Sequence, residues 1–291
     1  MSNVWYPPEG MLGFSKESYE QNKFSAVLPV ELPGGGRPNA NFRRVFKAGI
    51  SGWDVYALQV ALNSHQKTFP IKEDGIIGSD PSKSETIQCI LREQKNHHLT
   101  VDGIAGSATQ AAICIIEART AEQTSRVPIG LLRGIGEGES GLYFAAVSGP
   151  NWNNSYDGGA IQENLTSSQI GSVSAWHRAF DLRWGFTDTG NKLRSKFDSY
   201  YGKPGAPTIK AGWYCAITYH NWPAAAEKMA AGTFDSWQYY AVDANGNGRY
   251  YGVDDPAYWV IAASGGRLST ARQWRDDYIV TKTAYVKNWT A

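Results

Sequence analysis

Apolar positions recur with helical spacing over much of the chain. In "SGWDVYALQVALNSH" the apolar residues Val55, Leu58, Ala61 and Leu62 follow one another at three-residue and one-residue intervals, which predicts an amphipathic helix. The stretch 165–186 predicts another helix, and "NWPAAAEKMAAG" predicts one that starts at a proline and stops at a glycine. These patterns indicate a mainly α-helical protein.

One stretch near the C-terminus predicts β structure. "QYYAVDANGNGRYYGV" has two short aromatic runs around an Asn-Gly pair, which is typical of a β-hairpin. The same stretch has the spacing of a calcium loop, with oxygen ligands at Asp243, Asn245, Asn247 and Asp254. The strand-like flanks favour the hairpin over calcium. The histidines show no zinc spacing, so we expect no metal site and no cofactor.

Residues 46–118 contain an internal repeat. Asp-Gly-Ile-x-Gly occurs twice, and each copy precedes a serine or threonine and an apolar run with helical spacing. Asp74-Gly75 and Asp102-Gly103 predict tight turns in which the glycine has a positive φ. The segment is therefore predicted to form a bundle of three helices with two similar turns.

This repeat resembles the peptidoglycan-binding module of bacterial and phage wall hydrolases. The family pattern places a Leu-Gln helix before two Asp-Gly-x-x-Gly copies, which end here at Gly78 and Gly106. The resemblance implies that 46–118 binds peptidoglycan through these turns. The alternative is a helical spacer that binds nothing.

Turn-forming and polar stretches mark the domain limits. Residues 1–45 are rich in glycine and proline and predict an arm or linker. The stretch 119–128 is polar, ends in a proline and predicts the end of a helix and a linker. The segment 129–291 is then a second, mainly helical domain with one small β element.

Two glutamates lie among glycines in "GIGEGESG". Glu137 and Glu139 are either solvated charges in a turn or include one carboxyl that apolar neighbours keep protonated. A protonated carboxyl is what cleavage of a glycosidic bond requires. On a helix the two side chains would diverge by about 200°, so only one could face a substrate.

Three segments in order resemble goose-type lysozymes and soluble lytic transglycosylases, and imply a lysozyme-like fold for 129–291. Glu139-Ser140 matches the Glu-Ser motif, "GGAIQ" ending at Gln162 matches a glycine-apolar-glutamine segment, and "AITYHN" matches a helix with Ala-Tyr-Asn. The resemblance implies that Glu139 is the general acid and that Ser140 and Gln162 contact substrate.

The third segment departs from the family pattern. The family tyrosine falls on His220, Tyr219 lies one residue away, and Asn221 keeps its place. Pro223 stands where the family has glycine. The resemblance implies a substrate-binding role for Tyr219, His220 and Asn221, with either ring in the place of the tyrosine.

The type of reaction depends on a second carboxylate. An inverting hydrolase needs one to activate water, whereas in a lytic transglycosylase the sugar's own hydroxyl attacks. Asp157 and Glu163 flank "GGAIQ" and are the catalytic candidates, although each is also typical of a solvated loop charge. Their presence favours hydrolysis of the β-1,4 bond between N-acetylmuramic acid and N-acetylglucosamine, with transglycosylation as the alternative.

The amino-acid composition indicates which kinds of partner to expect. The net charge of +1 gives no reason to expect nucleic-acid binding, for which a strip of basic residues is typical. Aromatic residues make up 13% and often adjoin Gly, Asn or Asp, a mixture that suits sugar recognition as well as a protein core. Cys89, Cys114 and Cys215 have no disulfide or metal spacing and are predicted to be buried thiols.

The chain has neither a secretory signal nor a stretch long enough to span a membrane. We therefore expect a monomer made in the cytoplasm that reaches bacterial peptidoglycan after release, as a phage endolysin does. A catalytically inactive wall-binding protein of a phage tail or injection machine is the alternative from another class.

Overall fold

The computed structural model describes residues 44–65, 70–148, 155–169, 172–221, 223–234, 238–242, 248–252 and 267–291. Within these ranges the chain is mainly helical, as its sequence predicts, with two small antiparallel sheets. The helices are α1 (Trp53–His65), α2 (Glu85–Asn96), α3 (Ser107–Ser125), α4 (Leu131–Ser140), α5 (Val173–Phe180), α6 (Leu182–Tyr200), α7 (Ile209–Asn221), α8 (Pro223–Ala231) and α9 (Ala271–Thr283). The strands are β1 (Val147–Ser148), β2 (Tyr156–Gly158), β3 (Glu163–Leu165), β4 (Gln238–Val242), β5 (Gly248–Gly252) and β6 (Arg267–Thr270). The predicted arm 1–45 lies outside the described residues up to position 43.

The chain divides into two compact units. The first comprises Met1–Ala118 and Glu139–Phe186, and the second comprises Arg119–Gly138 and Thr187–Ala291. The domains predicted from the sequence, 46–118 and 129–291, have other limits than these units. The division into a wall-binding and a catalytic domain stays a prediction. The polar stretch 119–128, predicted as a helix end and linker, is mostly helical, because α3 continues to Ser125.

In the first unit, a buried glutamine on α1 holds the first Asp-Gly turn. Gln59 accepts a hydrogen bond from the backbone nitrogen of Gly75 at 2.7 Å. Its amide donates to Asp74 Oδ1 and to the carbonyl oxygen of Ile76, both at 3.1 Å. Gly75 has a φ of +69°, which confirms the tight turn predicted here.

The second turn repeats this arrangement one helix later. Gln94 on α2 accepts from the backbone nitrogen of Gly103 at 2.9 Å and donates to Asp102 Oδ1 at 2.8 Å. Its amide also donates to the carbonyl oxygen of Ile104 at 3.0 Å, and Gly103 has a φ of +72°. The repeat in the sequence is therefore a structural repeat, and α1, α2 and α3 are the three helices predicted for this segment.

An aromatic core joins this segment to residues 139–186 within the first unit. The ring of Phe46 lies 5.8 Å from that of Phe144, and the ring of Trp53 lies 5.6 Å from that of Phe180. All four side chains are buried. Because buried aromatic surface is a large part of a protein's stability, we expect the three helices to depend on these partners for folding.

The second unit has an aromatic core on α6 and α7. The rings of Phe197 and Trp213 stack with centroids 4.3 Å apart, and both side chains are buried. Trp213 Nε1 donates to the carbonyl oxygen of Thr290 at 2.7 Å. The segment after α9 is thereby attached to α7.

The second sheet contains the predicted hairpin strands. Strands β4 and β5 pair antiparallel from Gln238 opposite Gly252 to Val242 opposite Gly248, which confirms the two aromatic strands. Strand β6 pairs with the other edge of β4. The turn at 243–247 and the fourth calcium-ligand candidate at 254 lie outside the described residues.

The helix predicted over 165–186 was wrong in its extent. Two helices, α5 and α6, lie here and are separated at Asp181, whose backbone is extended with a ψ of 101°. Asp181 Oδ1 accepts a hydrogen bond from the backbone nitrogen of Trp184 at 3.0 Å, as the cap of a helix does. In the last of the predicted helices, Pro223 begins α8 and Gly232 follows it with a φ of +75°, which confirms both ends.

The remaining sequence expectations concern membranes and thiols. In the described part of the chain, no helix combines the length and hydropathy needed to cross a membrane. The three cysteines are buried and form no disulfide, as predicted.

Candidate active site

The segment that contains Glu137 and Glu139 is helical. Helix α4 runs from Leu131 to Ser140, so of the two alternatives for "GEGESG" the turn is excluded. Glu137 is exposed, whereas Glu139, one residue before the end of the helix, is half-buried. A general acid works best when partly removed from water, so Glu139 is better suited to the role than Glu137.

The glycines of this segment have a packing role in the second unit. A Cβ added to Gly134 would overlap the carbonyl oxygen of Lys282, and one added to Gly138 would overlap the Nζ of the same lysine. A Cβ added to Gly130 would overlap the carbonyl oxygen of Tyr285. Residues four apart share one face of a helix, so this face of α4 lies directly against α9 and the residues after it.

A buried carboxylate on α3 holds the other end of α4. Glu122 Oε1 accepts hydrogen bonds from the backbone nitrogens of Leu132 at 2.8 Å and Arg133 at 3.2 Å. Burial raises the pKa of Glu122, against the opposing effect of these N–H groups. Sequence reasoning missed this residue because it lies in the stretch predicted as a linker.

Ser140 connects the end of α4 to the Gly-Ala-Ile-Gln segment. Its Oγ donates to the carbonyl oxygen of Ala160 at 2.8 Å and accepts from the backbone nitrogen of Tyr143 at 3.0 Å. The side chain is buried. The structure thus brings together two of the three segments that the sequence singled out, and it gives Ser140 a structural contact.

The Gly-Ala-Ile-Gln segment is the turn between β2 and β3. These strands and β1 form an antiparallel sheet in the order β1-β2-β3. Gly159 and Gln162 have φ values of +77° and +55°, and the Gln162 amide donates to the carbonyl oxygen of Gly159 at 2.9 Å. The sequence did not predict this sheet, because strands of two or three residues are too short for alternation to be recognised.

The sheet places the two candidate bases on opposite faces. Asp157 pairs with Asn164, and the neighbouring pair is Gly158 with Glu163. Because successive side chains in a strand alternate between faces, Asp157 and Asn164 share one face and Glu163 lies on the other. The sequence alone left both acids as equal candidates.

The two carboxylates also have different partners. Asp157 Oδ1 accepts a hydrogen bond from Asn164 Nδ2 at 2.7 Å. Glu163 Oε1 lies 3.8 Å from a terminal nitrogen of Arg178, whose guanidinium carbon lies 4.9 Å from the ring centroid of Trp184. Neither Asn164 nor Arg178 carried any signal in the sequence.

The third segment lies on α7, in the second unit. Tyr219 is half-buried against the core that includes Tyr200, and Lys196 Nζ lies 3.8 Å from the Tyr219 ring centroid. An ammonium at this distance occupies one face of the ring, and the Tyr200 ring lies 6.4 Å from it. His220 is half-buried, and Asn221, the last residue of the helix, is exposed.

The carboxylates of the two Asp-Gly turns accept hydrogen bonds from the backbone of their own turns. Asp74 Oδ1 accepts from the backbone nitrogen of Ile76 at 2.9 Å, and Asp102 Oδ1 accepts from that of Ile104 at 2.8 Å. The hydrogen bond from Ile104, with that from Gln94, lowers the pKa of Asp102. Each turn instead presents its isoleucine to solvent. Of the motif's last glycines, Gly78 lies near Ser84 and Gly106 borders open space.

A buried ion network in the first unit was not apparent in the sequence. Glu117 on α3 pairs with His65 Nδ1 at 2.7 Å and with Arg183 Nε at 3.3 Å. Glu93 on α2 lies 3.5 Å from His65 Nε2 and 3.3 Å from His97 Nε2. The hydrogen bond to Glu117 raises the pKa of His65. Burial alone would raise the pKa of Glu117, but bonds from His65 and Arg183 outweigh it and lower the pKa.

Two further observations concern metal sites and similarity to known proteins. Among the described residues, no three His, Cys, Asp or Glu side chains are grouped so that they could hold a metal ion. No family model matches the chain, and no curated protein or solved structure matches it either.

Proposed function

We propose that the protein is a peptidoglycan hydrolase that cleaves the β-1,4 bond between N-acetylmuramic acid and N-acetylglucosamine. The observation that carries the proposal is the placement of Glu139. It is half-buried near the end of α4, and the next residue is bonded to the Gly-Ala-Ile-Gln turn at 2.8 Å. A carboxylic acid is thereby fixed beside a small sheet that carries further polar side chains.

The proposed reaction needs an acid that protonates the leaving oxygen of the glycosidic bond. In its protonated form Glu139 donates this proton while the bond from C1 to the oxygen breaks. Water then forms the new bond to C1, which gives a reducing end. Within the first unit we assign a substrate contact to Gln162. The role of the α7 residues Tyr219, His220 and Asn221 rests on the family resemblance alone.

The repeated turns support a second part of the proposal, binding to the wall. The same glutamine clamp holds both turns, and each presents one exposed isoleucine, Ile76 and Ile104. Two equivalent contacts suit a polymer with a repeating chemical structure, because the second contact forms at a high effective concentration. We propose bacterial peptidoglycan as the partner, reached after release from the cytoplasm as by a phage endolysin.

The test uses the full chain and purified peptidoglycan. The soluble products are analysed by mass spectrometry for wild type, Glu139→Gln and the matched control Glu137→Gln on the same helix. We expect reducing muropeptides from wild type and from the control. Glu139→Gln should lose activity by about 10²- to 10⁴-fold while it keeps its fold and still sediments with the wall, since an amide cannot donate the proton.

Other outcomes assign the protein differently. Products that are about 18 Da lighter through loss of water would indicate a lytic transglycosylase. Sedimentation with the wall and no soluble product would indicate a non-catalytic wall-binding protein. Loss of activity in Glu137→Gln alone would move the acid to Glu137.

A further inference from the structure

We infer that the first sheet gives the two carboxylates separate roles: Asp157, positioned by Asn164, activates water, and Glu163 is a structural partner of Arg178. The inference rests on the proposed hydrolase function. It names the water-activating residue and adds a positioning residue.

Glu163 lies on the face of the sheet that is here called the covered face. This face also includes Gly158 and Leu165, which are both buried. A Cβ added to Gly158 would lie 3.0 Å from Trp176 and 3.2 Å from the Cβ of Ala179, both on α5. Helix α5 therefore packs against this face, and a polysaccharide could not lie along it.

Glu163 is held at the edge of the covered face by the same helix. Its carboxylate lies 3.8 Å from the guanidinium of Arg178, which α5 also carries. Arg178 in turn lies over the ring of Trp184 at 4.9 Å, so its position is fixed from two sides. An acid paired in this way links β3 to α5.

The opposite face, here called the open face, carries Asp157 and Asn164. Asn164 is exposed and Asp157 is half-buried, as expected for a face that a substrate can approach. Asp157 and Glu163 cannot both serve one glycosidic bond, because the plane of the sheet lies between their side chains. Both carboxylates are half-buried, but Asp157 lies on the face that α5 does not cover, so we assign the water-activating role to it.

Asn164 fixes the orientation of the Asp157 carboxylate. Its Nδ2 donates to Asp157 Oδ1 at 2.7 Å and to Ser155 Oγ at 2.9 Å, and Ser155 is buried. An amide NH₂ that donates to a carboxylate oxygen suits the ionised form, which only accepts hydrogen bonds. A base must be ionised and aimed before it can take a proton.

The proposed hydrolysis forms one bond to C1, breaks another and moves two protons. Asp157 takes a proton from water as the water oxygen bonds to C1 of the muramic acid. The bond from C1 to the bridging oxygen breaks with its electron pair on that oxygen, which takes the proton of Glu139. Between turnovers Asp157 releases its proton to solvent and Glu139 takes one up from solvent. Attack from the face opposite the leaving group inverts C1, so the new reducing end forms first as the α anomer.

The experiment measures turnover and KM of the full chain on purified peptidoglycan across pH. Asp157→Asn should lower turnover by about 10²- to 10⁴-fold, the usual effect of losing a general base. Glu163→Gln should keep most of the wild-type turnover. Asn164→Ala should lower turnover by about 10- to 100-fold with KM little changed, the effect of one hydrogen bond to a charged group.

Two readouts separate positioning from a structural role. The acid limb of the turnover profile should move to higher pH in Asn164→Ala, because the ionised base loses a donor. Asn164→Asp, which keeps the shape but not the donor, should lose at least as much turnover as Asn164→Ala while its melting temperature stays near that of wild type.

The outcomes distinguish this inference from the proposed function. If Glu139→Gln is inactive and wild type gives α-anomeric reducing ends, but Asp157→Asn stays active or Glu163→Gln does not, the inference alone is overturned. Retained anomeric configuration would also overturn the inference alone. Anhydro products would overturn both the inference and the hydrolase, because a transglycosylase uses no water-activating base. If wild type releases no soluble product, both the inference and the proposed hydrolase function are overturned.

Discussion

The hydroxyl of Ser140 donates a hydrogen bond of 2.8 Å to the carbonyl oxygen of Ala160. This bond joins the end of the helix that carries Glu139 to the turn between the second and third strands. The serine is buried, so the bond is protected from water and helps to set where the helix ends relative to the sheet.

Removal of this hydroxyl should therefore affect both stability and activity. We expect Ser140→Ala to lower the free energy of unfolding by about 1–3 kcal/mol, because it leaves buried polar groups without their partner. Peptidoglycan cleavage should fall further than this loss of folded protein explains. Urea titration and turbidity clearance measure the two effects. The exposed Ser174 on α5 provides the control, and Ser174→Ala should match wild type in both assays; equal effects of the two substitutions would contradict the role of Ser140.

The glutamine clamp makes a similar prediction for the second turn. Gln94→Ala removes four hydrogen bonds to the turn, including those from the backbone nitrogens of Asp102 and Gly103. We expect a loss of about 1–3 kcal/mol in unfolding free energy, and weaker sedimentation with peptidoglycan once the turn is no longer held. Gln88 lies on the same helix with an exposed side chain, so Gln88→Ala tests for a general effect of shortening a glutamine there. Unchanged wall binding by folded Gln94→Ala would show that the turn's shape does not matter for binding.

The glycines of α4 predict a steric effect. Alanine normally favours a helix over glycine, by up to about 1 kcal/mol. At Gly134, however, the new methyl group would overlap the backbone of Lys282, so Gly134→Ala should be destabilising by about 1–3 kcal/mol or more. Gly106→Ala is the control, because a Cβ there meets nothing within 4 Å. Thermal unfolding measures the stability of both variants. A Gly134→Ala protein as stable as wild type would show that α9 does not lie against this face of α4.

The buried ion network predicts how stability depends on pH. The pKa of His65 is raised above its ordinary value of 6.5, so its contribution is fully present below pH 6.5 and is lost as the pH rises through the folded pKa. The pKa of Glu117 is lowered from 4.5, so its contribution is present above pH 4.5 and is lost as the pH falls through the folded pKa. The pair therefore stabilises the fold most between these two values.

Urea titrations at two pH values test this. We expect His65→Gln to cost about 1.5–3 kcal/mol at pH 6, the range for a hydrogen bond to a charged group, and clearly less at pH 9. The exposed His98 serves as the control, replaced by asparagine because its φ is +54° and asparagine tolerates that conformation. A His65→Gln loss that is the same at both pH values would contradict the ion pair.

The sequence by itself determined the features that depend on neighbouring residues. The Asp-Gly turns with positive φ, the helix from Pro223 to the glycine stop and the aromatic strands β4 and β5 were all predicted, because each is set by local backbone preferences and side-chain spacing. The mainly helical class followed from the same patterns. The proposed acid, Glu139, was also named from the sequence and stays a prediction.

Tertiary structure decided what depends on residues distant in the chain. The glycines around Glu137 left a turn open as one alternative, yet the segment is helical, and side chains at Gly134 and Gly138 would overlap Lys282 of another helix. Asp157 and Glu163 were equivalent in the sequence, and only the pairing of β2 with β3 puts them on opposite faces. Gln94, Glu122 and Arg178 were not recognised, since their partners come from other helices, turns and strands. A hydrogen bond between distant segments leaves no local pattern, because its geometry exists only once both segments are packed.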